Sequence, residues 1–137
     1  MADPRAFVSF DFDHNETWRN LFCGQGKRDS PTPFVVQDWS SKQVLRQSDW
    51  KEQIKVKISK TNMLIVLVGK SMSSATGVVA EISMAKVCNV PLFGVYVDGA
   101  TSGSPLPTGL ARNRTVTWTW ANVAMGIDQC MTEGKNA

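Results

Sequence analysis

Two groups of carboxylates in this chain stand where chemistry would use them. The first follows an apolar run, in Phe10-Asp11-Phe12-Asp13-His14. Paired aspartates in that position can hold a magnesium ion and accept a phosphoryl group. Such enzymes, however, carry Thr or Val two residues beyond the second Asp, where this chain has Asn15, and no downstream lysine with a further acidic pair can be placed. The second group is the single residue Glu81, set among Val79, Ala80, Ile82, Ser83 and Met84 after the small-residue stretch Ser71 to Gly77. Its plain reading is an early-turn glutamate favoured by the helix dipole; its other reading is a catalytic carboxylate. His14, the one histidine, is read as a cap or surface group. Cys23, beside Gly24 and Gly26, has no neighbour that would lower its pKa, so nucleophilic catalysis is not expected there. Those glycines also lack the third member of a dinucleotide fingerprint.

The elements that must position these residues are legible as apolar runs. Ala6–Phe10, Pro33–Val36, Met63–Val68 and Pro91–Val97 are β-branched or aromatic and mostly continuous, which predicts strands buried on both faces. Thr115–Trp120 alternates, predicting a fifth strand at a sheet edge. Trp50, Ile54 and Ile58 recur every fourth residue with lysines between them, which predicts a helix capped by Ser48 and Asp49. Val78, Ile82 and Ala85 mark a second helix, ended by Asn89 and Pro91. A weaker helix is predicted over Glu16–Phe22, a glycine- and proline-rich loop over Asp98–Arg114 and a closing helix over Ala121–Met131. This alternation predicts an α/β fold, a flavodoxin-like doubly wound parallel sheet of about five strands with helices on both faces. Ligands of such sheets bind beyond the carboxyl ends of the strands, which directs attention to the segments after each run.

Length and composition narrow the function classes. The 137 residues fit a single domain, 1–137 with a core over about 5–131, and 42% hydrophobic against 20% charged residues supports a packed interior. The net charge of +3 is scattered, and Lys51, Lys55, Lys57 and Lys60 alternate with apolar residues as on the wet face of a helix. No nucleic-acid partner is expected. Cys23, Cys88 and Cys130 lie far apart and read as reduced thiols, with no bound metal expected. Neither a leader peptide nor a membrane-spanning run is apparent, so a cytoplasmic protein without a membrane partner is expected.

Three stretches, in this order, carry a family resemblance. They are Phe7-Val8-Ser9-Phe10 with the acidic-aromatic turn after it, Ile65-Val66-Leu67-Val68-Gly69-Lys70-Ser71-Met72 followed by Glu81-Ile82, and Val90–Val97. Over Arg5 to Asp98 the chain resembles TIR and TIR-like domains, and most of all the TIR-like subunit of Thoeris antiphage defence systems. The resemblance implies cleavage of NAD at the nicotinamide–ribose bond and a cyclic ADP-ribose-type signal read by a separate effector protein. It maps the catalytic glutamate onto Glu81, a first binding loop onto Phe10, Asp11, Phe12 and Asp13, with Ser9 before it in the substrate-binding set, and a second loop onto Gln37–Ser41 with Trp39. Ser71 joins the substrate-binding set, and Asn113 and Asn122 are further candidates. NAD is then a substrate rather than a resident cofactor. The alternatives are a non-enzymatic TIR-like module that self-associates, with Trp118 and Trp120 on an edge strand as its adhesive surface, and magnesium-dependent phosphoryl transfer at Asp11 and Asp13.

Overall fold

Residues 5–10, 22, 35–37, 47–69, 76–97, 99–101 and 103–133 are described by a computed structural model. Five strands, β1 (Arg5–Ser9), β2 (Val35–Gln37), β3 (Met63–Val68), β4 (Leu92–Tyr96) and β5 (Thr115–Thr117), alternate with helices α1 (Gln47–Ser59), α2 (Thr76–Val87) and α3 (Trp120–Glu133). All pairings are parallel, and the sheet runs β2-β1-β3-β4-β5. That order is the flavodoxin-like one, with its reversal at β1 and β3.

The continuous apolar runs follow from a sheet covered on both sides. Along β3, Leu64, Val66 and Val68 pack with Ile54 and Ile58 of α1 and with Val78, Ile82 and Ala85 of α2. Met63, Ile65 and Leu67 point the other way, towards Val123, Ile127 and Cys130 of α3 and towards Phe22. Each residue of β3 thus meets a helix whichever face it takes, leaving no place for polar alternation there. Full burial of each such aliphatic side chain contributes about 1.5–3 kcal/mol.

Helix α2 ends where Asn89 adopts φ 59°, the left-handed conformation asparagine tolerates better than most residues. Asn89 N–H donates to the Lys86 carbonyl at 3.1 Å and Val90 N–H to the Ala85 carbonyl at 2.7 Å. This pair of bonds closes the last turn as a Schellman motif and aims the chain into β4. Two boundaries differ from expectation. Ser48 and Asp49 lie inside the first turn of α1 rather than ahead of it. The fifth strand stops at Thr117 because the Thr119 hydroxyl accepts the Asn122 N–H at 3.1 Å, starting α3 at Trp120. Among the described residues, no helix is long and apolar enough to cross a membrane.

Candidate functional site at the carboxyl end of the sheet

Ser9 is the last residue of β1 and pairs in register with Val66. It shares a face with Phe7, two residues earlier, and so looks towards the α1–α2 layer. Glu81 enters that layer from the sixth position of α2. The Ser9 hydroxyl donates to Glu81 Oε1 at 2.6 Å across 72 residues of sequence. Ser9 is 0% and Glu81 1% exposed.

That burial does not fit the first of the two readings of the glutamate. A carboxylate serving the helix dipole sits in the first turn, exposed to water; α2 has no acidic residue in its first turn, and Glu81 faces the sheet. Taking a carboxylate out of water costs several kcal/mol unless hydrogen bonds replace the lost hydration. The short bond from Ser9 supplies one, and it fixes the carboxylate against the end of a central strand. The pair can accept hydrogen bonds from hydroxyls and place negative charge beside a developing cation.

The other expected site residues divide. Phe10, one residue on, packs half-buried against the α3 layer, on the opposite side of the sheet from Glu81. Asp11, Phe12, Asp13, Trp39 and Ser71 lie outside the described residues, as do His14 and Cys23. Asn113 sits exposed in the short 3-10 turn Arg112–Arg114 ahead of β5, at the amino end of the sheet and away from Ser9. Asn122 is occupied locally, its side-chain amide donating to the Thr117 carbonyl at 3.1 Å. Trp118 and Trp120 do not form an open edge. Their rings meet at 5.9 Å edge to face, stand 5.7 and 5.3 Å from Phe22, and are half-buried against the α3 layer.

One residue at this end went unremarked in the sequence. Tyr96 closes β4, packs in the same layer as Val68 and Ile82, and is 7% exposed. Its hydroxyl has no hydrogen-bond partner among the described residues. The signal was a lone tyrosine ending an otherwise apolar strand.

A parallel sheet in this strand order, with a buried Ser–Glu pair at its carboxyl edge, places the chain in the flavodoxin-like class of α/β domains. The crystal structure of a prokaryotic SEFIR domain shares the fold with a TM-score of 0.54 at 12% identity, over 96% of this chain and 92% of that one. No curated protein matches the chain. Residues 7–102, well over half of the chain, match the family described as Thoeris protein ThsB, TIR-like domain, and the chain belongs to that family. Ser9 and Glu81 both fall inside the matched region.

Proposed function

We propose that this chain cleaves NAD at the bond between nicotinamide and ribose, with Glu81 as the catalytic carboxylate. The observation carrying this reading is the Ser9–Glu81 bond of 2.6 Å at the carboxyl end of the sheet, in a member of a TIR-like family.

One carboxylate suffices for this reaction. Glycosidases ordinarily need a second, to protonate a poor leaving group. In NAD the leaving group is a cationic pyridinium: when the ribose C1′–N bond breaks, its electron pair returns to the ring nitrogen and nicotinamide departs neutral. What remains is an oxocarbenium-like ribose, whose positive charge a fixed carboxylate stabilises. Glu81 would accept hydrogen bonds from the ribose hydroxyls and oppose that charge, while Ser9 holds the carboxylate in place. Water adding to C1′ and losing a proton gives ADP-ribose; an internal nucleophile gives a cyclic product. The proposed setting is the cytoplasm, with a separate effector reading the product in antiphage defence.

The test is incubation of the purified protein at high concentration with NAD, followed by chromatography for nicotinamide and ADP-ribose species. Release that disappears in Glu81→Gln supports the reading. Equal release by wild type and Glu81→Gln overturns it, as does no release across a concentration series in which the protein self-associates; the latter favours the interaction module.

A further inference from the structure

We infer that the Tyr96 hydroxyl is a substrate-recognition group of the Glu81 site, donating a hydrogen bond to an acceptor oxygen of the bound dinucleotide; this rests on the proposed NAD chemistry. Three observations converge on it. Tyr96 is the final residue of β4 and faces the layer that holds α2, the helix carrying Glu81. The register places it one row further towards the carboxyl edge than Ser9, because Ser9 pairs with Val66 and Tyr96 with Val68. Two strand spacings across and one row along, the Ser9 and Tyr96 Cα atoms stand roughly 12 Å apart, a span that different parts of one dinucleotide can bridge.

The third observation is the unmet hydroxyl. At 7% exposure, Tyr96 has its oxygen buried with no hydrogen-bond partner among the described residues. Leaving such a group unpaired costs about 1–3 kcal/mol, and phenylalanine would fill the same space without that cost. A phenol at the ligand-binding edge of a parallel sheet therefore points to an acceptor that arrives with the ligand. Among the described residues, nothing of this kind holds for the other buried groups. The hydroxyl of Thr61 donates to the Ile58 carbonyl at 2.7 Å, and the side chain of Asn62 accepts the Arg5 N–H at 2.7 Å.

Tyr96 is the one tyrosine in the sequence, so its ring carbon bearing the oxygen can be observed alone by NMR after labelling. Titration of NAD into wild-type protein should move that resonance saturably. Tyr96→Phe should lower kcat/KM about tenfold through KM, the worth of one hydrogen bond to a charged or strongly polar acceptor. Its ligand-free unfolding temperature should be equal to or above that of the wild type. A structural tyrosine would behave otherwise: Tyr96→Phe would lower the unfolding temperature, and NAD would leave the resonance unmoved. Either result overturns the inference, as does a Tyr96→Phe variant with wild-type KM. A saturable shift in protein that releases no nicotinamide would retain Tyr96 as a ligand contact and remove the catalytic reading alone.

Discussion

The two ends of the sheet treat their polar groups differently. At the amino end, Asn62 and Arg5 exchange bonds, the Arg5 N–H donating to Asn62 Oδ1 at 2.7 Å and the Asn62 N–H to the Arg5 carbonyl at 2.8 Å. Arg114 reaches back to the start of β4, placing Nε and Nη2 at 3.1 and 2.8 Å from the Leu92 carbonyl and Nη2 at 2.8 Å from Glu133 Oε1. At the carboxyl end stand a buried carboxylate held by Ser9 and a phenol without a partner among the described residues. Saturated networks rigidify a fold, whereas incompletely met polar groups recur where a protein meets its ligand. The amino end thus reads as structural, and the contrast supports the proposed site at the carboxyl end. Substitutions at the two ends should separate stability from activity.

The largest effect belongs to Glu81→Gln. The amide keeps an oxygen for the Ser9 hydroxyl and nearly the same volume, but it loses the charge. Nicotinamide release should fall by about 100-fold or more while circular dichroism and unfolding temperature stay near wild type. Unfolding with lost activity would make Glu81 a structural residue and dissolve the contrast. At the other end, Arg114→Ala should cost about 2 kcal/mol, measured by denaturant unfolding, without changing turnover per folded molecule. Most of that cost lies in the Leu92 carbonyl contacts. The ion pair with Glu133, whose side chains are 23% and 43% exposed, is screened by water and contributes little. Arg114→Lys keeps the charge but not the fork, and it should recover only a minor part. Next comes Ser9→Ala, which removes one donor from Glu81 and should lower kcat about tenfold, read in the same nicotinamide assay. An unchanged rate would show that Ser9 does not position the carboxylate.

These contrasts also show what the amino-acid order reveals. Met63–Val68 is a strand to the residue, because six consecutive apolar side chains need cover on both faces. The ending of α2 was equally legible, since Asn89 stood where a left-handed residue was required. The run through Trp118 and Trp120 misled: its alternation continued past Thr117, but Thr119 is a helix cap, and a threonine followed three residues later by a side-chain donor was the available signal. Glu81 was visible as a residue out of keeping with its neighbours. Its partner was not, because 72 residues separate Ser9 from it and no local period links them. Side-chain direction also mattered. Ser9 and Phe10 are adjacent, yet strand alternation sends them to opposite layers, so two neighbours expected in one substrate-binding set are divided by the sheet.

The smallest effect is a pH dependence confined to the structural end. Cys130 is buried on α3 beneath Arg114, and loss of hydration pushes its thiol from 9.0 up to about 12, with the Arg114 charge opposing the rise. The folded state therefore favours the neutral thiol, while the unfolded chain releases its proton near pH 9. Stability from this group is fully present below pH 9 and declines as pH rises from 9 towards about 12. The slope in that window is at most about 1.4 kcal/mol per pH unit. The measurement is a difference between two proteins: Cys130→Ala, which has no thiol to ionise, should lose less stability than wild type between pH 9 and 10.5. Cys88, half-exposed on the opposite layer, should react with an alkylating reagent at pH 8 while Cys130 does not. Parallel pH curves for wild type and Cys130→Ala, or alkylation of Cys130 in the folded protein, would show that burial does not hold this thiol neutral.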